Sequence, residues 1–132
     1  MMDIQRVTRL NPKTLAPPVG KYSHVTIVPK DANIYVFSGQ IGNDKNGIMP
    51  SDFNEQVYNT FENIGHILTS QDLSSENIIK VNIWATKEIE WQYFDSIWTD
   101  LFNNNNPSMT VAYIAALGLP EIHLEIEIWA AK

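Results

Sequence analysis

The chain has 132 residues, of which 44% are hydrophobic and 18% charged, a composition that suits one globular domain with its own core. Nine Lys and Arg against fifteen Asp and Glu give a formal charge of −6, which argues against a nucleic-acid partner bound through its phosphates. The chain has no Cys, so disulfides, zinc-thiolate sites and cysteine nucleophiles are excluded. No apolar stretch approaches the roughly 20 residues of a membrane span. The opening MMDIQRVTRL has no apolar signal core. The expectation is a cytoplasmic domain without a membrane partner.

In chain order, residues 4–10 read as a short strand. Residues 21–29 and 33–38 read as a hairpin around Pro29, Lys30, Asp31 and Ala32. Within the second of these, Ser38-Gly39-Gln40 closes an apolar run, and a glycine there permits a bulge or a close approach to the backbone. Phe53, Val57, Phe61, Ile64 and Leu68 recur at helical spacing, with Ser51 or Asp52 as N-cap. Residues 78–86 are rich in β-branched side chains and predict a strand. A second helix follows over 87–102, where Trp91, Phe94, Ile97, Trp98 and Leu101 make a stripe assigned to the core.

Asn103 to Asn106 before Pro107 predict a solvated turn, because Asn tolerates left-handed geometry and Pro disfavours helix before it. Residues 109–116 and 122–130 predict the last two strands. In the latter, Ile122, Leu124, Ile126, Ile128 and Ala130 face one way, and His123, Glu125, Glu127 and Trp129 the other. The order β-β-β-α-β-α-β-β predicts an α+β fold, one mixed sheet with both helices packed on one face. Trp84, Tyr113 and Trp129 are expected on the opposite face, which would then need covering by other subunits.

No metal site is proposed by His24, His66 and His123, which lack ligand spacing, and no nucleotide-binding or nucleophile-elbow motif is present. Glu125 and Glu127 share a strand face. They are either an acid/base pair or a solvated residue beside a hydrogen-bonded one.

Several short motifs carry a stronger signal through their order and spacing. They are Pro18-Val19-Gly20-Lys21-Tyr22-Ser23, Phe37-Ser38-Gly39-Gln40-Ile41, Gln56 with Thr60, Glu62 and Asn63, Ile79-Lys80-Val81-Asn82-Ile83, Pro107-Ser108-Met109-Thr110-Val111, and Glu125-Ile126-Glu127. Across residues 16–131 the chain resembles the RidA/YjgF family of reactive-intermediate deaminases, whose older names are translation inhibitor and endoribonuclease. The resemblance implies a chorismate-mutase-like fold and a homotrimer whose sheets form a barrel. It also implies a small-molecule ligand in each intersubunit cleft. The activity implied is hydrolysis of imines and enamines, such as 2-aminoacrylate, with no metal or organic cofactor.

Carried over residue by residue, the resemblance makes Glu125 the group that positions the attacking water. It makes Tyr22 part of the enclosure and the Gly39 backbone a substrate contact. The family's P-x-R-[ST] reads here Pro107-Ser108-Met109-Thr110, so Met109 stands where an Arg would grip a substrate carboxylate. A thioether cannot make that contact. A family Asn on the second helix aligns with Asp95, and the 117–120 turn carries an extra residue.

A replacement cation is sought in His24, which shares Tyr22's face if that segment is a strand, whereas Lys21 would then point away. Arg6 and Arg9 are further cations without a placement. The expected function is hydrolysis of an imine or enamine without an α-carboxylate, or weak 2-iminoacid deaminase activity. The alternatives are a non-catalytic trimer that binds a metabolite or protein, and an RNA-acting protein, which the charge disfavours.

Overall fold

The computed structural model describes residues 6–132. Strand β1 (Thr8–Leu10) pairs antiparallel with β2 (Val25–Ile27) as a separate two-stranded ribbon. The remaining strands are β3 (Ile34–Val36), β4 (Ile78–Ala85), β5 (Ser108–Tyr113) and β6 (Leu124–Ala131). They form a mixed sheet in the order β3-β6-β4-β5, with only β4 and β5 parallel. Helices α1 (Phe53–Ser70) and α2 (Trp91–Phe102) pack on one face of this sheet, as the alternation of strands and helices predicts.

The pairing of the early strands differs from expectation. Residues 21–29 and 33–38 do not form a hairpin, since β2 pairs with β1 and β3 pairs with β6. Local turn chemistry at 29–32 is satisfied by the Ala32 N–H donating to the Pro29 carbonyl, without the flanking strands pairing. The four-residue spacing therefore marks a turn but does not choose strand partners. Of the strand expected over 4–10, residues 8–10 are strand; residues 4 and 5 lie outside the described residues.

Strand β6 organises the core. Leu124, Ile126, Ile128 and Ala130 are buried against the helices, and Val81, Ile83 and Ala85 continue the same face on β4. Helix α1 begins at Asp52, whose carboxylate accepts from the Glu55 N–H at 3.0 Å. It contributes Val57, Phe61, Ile64 and Leu68, the predicted stripe; Phe53 is half-buried at its start. Helix α2 adds Phe94, Trp98 and Phe102. Phe61 meets Phe94 and Trp98 edge-on, which locks the two helices together.

Polar clasps complete the fold. Gln56 is fully buried yet satisfied: its Nε2 donates to the Pro50 and Glu121 carbonyls at 2.8 and 3.0 Å, and its Oε1 accepts from the His123 N–H at 3.0 Å. Arg9 is spent structurally. Its guanidinium donates to the carbonyls of Asn105, Ser75 and Ile78 and lies over the Phe102 ring. Burial lowers its pKa, with Glu76 opposing the shift.

The Asn tract is more than a solvated turn. Asn103 and Asn104 take left-handed geometry, with φ of 50° and 62°, as their residue type predicts. Asn106, however, is half-buried; its Oδ1 accepts from Trp98 Nε1 at 3.0 Å and its carbonyl accepts from Ser23 Oγ at 2.6 Å.

Replacing Gln56 with Leu keeps the volume but leaves the His123 N–H and two part-buried carbonyls without their partner. We expect a loss of about 2–4 kcal/mol of stability, readable as a lower midpoint in urea denaturation at unchanged m-value.

Candidate functional site

The pairing register divides the candidate residues between the two faces of the sheet. Met109 pairs with Val81 and so lies on the helix face, where it packs against the core. Glu125 pairs with Trp84 and Glu127 with Asn82, on the opposite face. Thr110 pairs with Asn82 and belongs to that opposite face too. There the Asn82 Nδ2 donates to Glu127 Oε1 at 3.0 Å, and Lys80 Nζ donates to Thr110 Oγ1 at 2.8 Å. Glu127 is thus the hydrogen-bonded member of the carboxylate pair.

On the helix side, a cavity of about 340 Å³ opens between β5, the N-terminal end of α2 and the 19–22 turn. Met109, Asp95 and Tyr22 all line it, so the structure brings together three residues that are far apart in sequence. Asp95 follows Trp91 by four residues and precedes Trp98 by three, which puts all three on one stripe of α2. Trp98 and Phe94 are buried and form the floor, while Trp91 is 38% exposed at the side. The α2 stripe thus serves the cavity as well as the core.

Lys21 also lines this cavity. A strand through residue 21 would turn it away from Tyr22, but strand geometry begins only at Val25. Residues 19–22 turn instead, with the Tyr22 N–H donating to the Gly20 carbonyl at 3.1 Å and the Val19 N–H donating to Tyr22 Oη at 3.3 Å. His24 stands edge-on to Tyr22, and its Nε2 lies 2.8 Å from the Ala16 carbonyl, tying down the preceding loop. It is not among the residues lining the cavity.

The second group gathers around Glu125. Val36 pairs with Trp129 and Gln40 bridges to Ile126, so four steps along one strand match three along β6. The extra residue is a bulge in the Ser38-Gly39 segment. It aims the backbone at Glu125: a Cβ on Gly39 would lie 2.6 Å from Glu125 Cδ. A side chain at 39 and the present Glu125 rotamer cannot coexist. The glycine in Ser38-Gly39-Gln40 is therefore needed for close approach as well as for the bulge.

Further along the same face, beyond the polar Glu127 and Asn82, lies an exposed apolar patch. Ile34, Val36 and Trp129 are 49%, 62% and 39% exposed. Register places them on the Glu125 side, together with Trp84. Tyr113 departs from expectation. It pairs with Ala85 on the helix side, and its hydroxyl accepts from the Ile89 N–H at 3.0 Å. Alternation was the right rule, but β5 starts at Ser108 and its register against β4 is set by the parallel pairing.

With this geometry in place, the comparisons with known proteins are specific. A family model described as endoribonuclease L-PSP matches residues 13–132. A RutC family protein of Aquifex aeolicus is 35% identical over 118 residues, covering 87% of this chain and 91% of the relative. The mitochondrial protein MMF1 of Saccharomyces cerevisiae is 27% identical over 130 residues, covering 98% of this chain and 87% of that protein. The Rid-family protein YyfB of Yersinia pestis superposes with a TM-score of 0.80 at 18% identity, covering 97% of this chain and all of that one, a likeness of fold. The chain therefore belongs to the RidA/YjgF family, the group described as endoribonuclease L-PSP.

Gly39→Ala should displace the Glu125 carboxylate rather than the backbone, because the clash is with a flexible side chain. We expect stability within about 1 kcal/mol of the parent. A crystal structure of the variant should show Glu125 in a new rotamer.

Proposed function

We propose that this protein is a cofactor-independent deaminase of imines or enamines, acting as a homotrimer with its site shared between neighbouring subunits. The observation that carries this reading is the division of the site. Tyr22, Asp95 and Met109 line a cavity on one face of the sheet, and Glu125 over Gly39 lies on the other. Each chain thus holds two half-sites that cannot meet internally, and a neighbour's Glu125 would complete the cavity. The uncovered apolar patch around Trp129 supports assembly through this face.

In this reading the substrate occupies the cavity of one subunit. The Glu125 carboxylate of the next accepts a proton from a water molecule as the water oxygen adds to the C=N carbon. The nitrogen is protonated, the carbinolamine collapses, the C–N bond breaks, and a carbonyl compound and ammonia leave. Met109 offers an apolar wall in place of a carboxylate clamp, so the preferred substrate lacks an α-carboxylate and 2-iminoacids turn over weakly. Thr110 lies on the same sheet face as Glu125, where its hydroxyl accepts from Lys80.

The apolar wall at Met109 also favours a second reading, a trimer that binds a metabolite without turning it over. An RNA-acting role is opposed by the charge of −6.

Ammonia release from imines generated in situ tests the proposal. Glu125→Ala should lower the rate at least about a hundredfold. Met109→Arg should raise turnover of 2-iminoacids at least about tenfold. Ammonia release that is absent in the parent and in Met109→Arg would leave the binding reading.

Sharing of the site has its own test. Glu125→Ala and Tyr22→Ala subunits, each inactive alone, should on random reassembly recover about a quarter of parental activity, because one site in four pairs an intact Tyr22 with a neighbour's intact Glu125. Recovery near zero would place the whole site within one subunit.

A further inference from the structure

We propose that the cavity walled by Trp91, Tyr22 and Asp95 selects a cationic ligand, a protonated N-unsubstituted imine (C=NH2+) on an apolar aryl or alkyl body. The word imine rests on the deaminase reading; the preference for positive charge does not.

The cavity is lined mainly by aromatic and aliphatic side chains, with one acid and one base among them. Trp91, Phe94, Trp98 and Tyr22 present π-systems, whose faces attract cations and repel anions. Asp95 is half-buried on the same helical stripe as Trp91 and Trp98, so a short side chain on a rigid element fixes its carboxylate at the wall. Lys21 is the opposing charge. It sits in the 19–22 turn on a long flexible stem, which lets its ammonium move toward water when a cation enters. Asp95 has no comparable reach.

The wider field points the same way, since a net charge of −6 raises the local concentration of cations. An anionic ligand would have only Lys21 in its favour, against Asp95 and the ring faces. The preference also suits the chemistry, because a carboxylate beside the C=N favours the protonated form, which is the one water attacks.

The test uses the full chain and three ligands with one phenyl body: phenethylammonium, 3-phenylpropanoate and the neutral 3-phenylpropanamide. Trp91 and Trp98 lie in the walls, so intrinsic fluorescence follows occupancy. Phenethylammonium should bind at least about tenfold more tightly than the carboxylate. Asp95→Asn should bring the two within about twofold, and Lys21→Met should widen the gap.

Equal or tighter binding of the carboxylate, or a preference unchanged by Asp95→Asn, would overturn the proposal. So would a failure of all three ligands to bind. None of these outcomes depends on turnover. If Glu125→Ala leaves ammonia release intact, the deaminase reading falls while the charge preference is still measured.

Discussion

The arrangement of this protein depends on the two-residue period of its central strands. β6 spends Leu124, Ile126, Ile128 and Ala130 on the helices, so Glu125, Glu127 and Trp129 must face away from them. β5 obeys the same rule from the other side: Met109 and Val111 join the core face, and Thr110 does not. The carboxylate at 125 and the thioether at 109 are consequently separated by the thickness of the sheet. No side-chain rotation brings them together, and a one-residue slip would expose the core. The case for a site completed by a second copy of the chain grows from this constraint.

Each half-site is held by a device that the core alone would not supply. Around Glu125 it is the bulge, which inserts one residue opposite β6 and leaves a glycine beneath the carboxylate. Around the cavity it is the Asn106 clasp, which ties Trp98 on α2 to the segment carrying Ser23 and thereby to Tyr22. Gln56 joins α1 to the entry of β6 through His123. Gln56 is fully buried with its amide paired at both ends, and Asn106 is half-buried with both oxygens bonded, an arrangement that fixes geometry more sharply than apolar contact does.

Much of this was legible in the sequence, for identifiable reasons. The helical stripe of α1, the alternation of β6 and the left-handed Asn residues are local patterns, and the structure follows them. What failed was partner choice. Nothing within residues 21–38 states that β3 will pair with a strand ninety residues later, because the decisive contacts are long-range. Tyr113 was misplaced for the same reason, and Lys21 because a turn was read as a strand. Gln56 belongs to a motif visible in the sequence, yet its role as a three-way clasp depends on the positions of Pro50, Glu121 and His123. The division of the site into two halves is not legible in the sequence, because spacing along the chain does not relate the face of one strand to that of another.

Met109 is best understood from its neighbours. Its side chain packs against the buried core and shares the cavity wall with Phe94 and Trp98, an apolar setting that suits a thioether. Met109 and Asp95 act together at the cavity wall. One offers no charge and the other supplies a negative one. Either alone would weaken the hold on an acid group. Together they leave a field of the same sign as the one the aromatic walls set, with Lys21 opposing it.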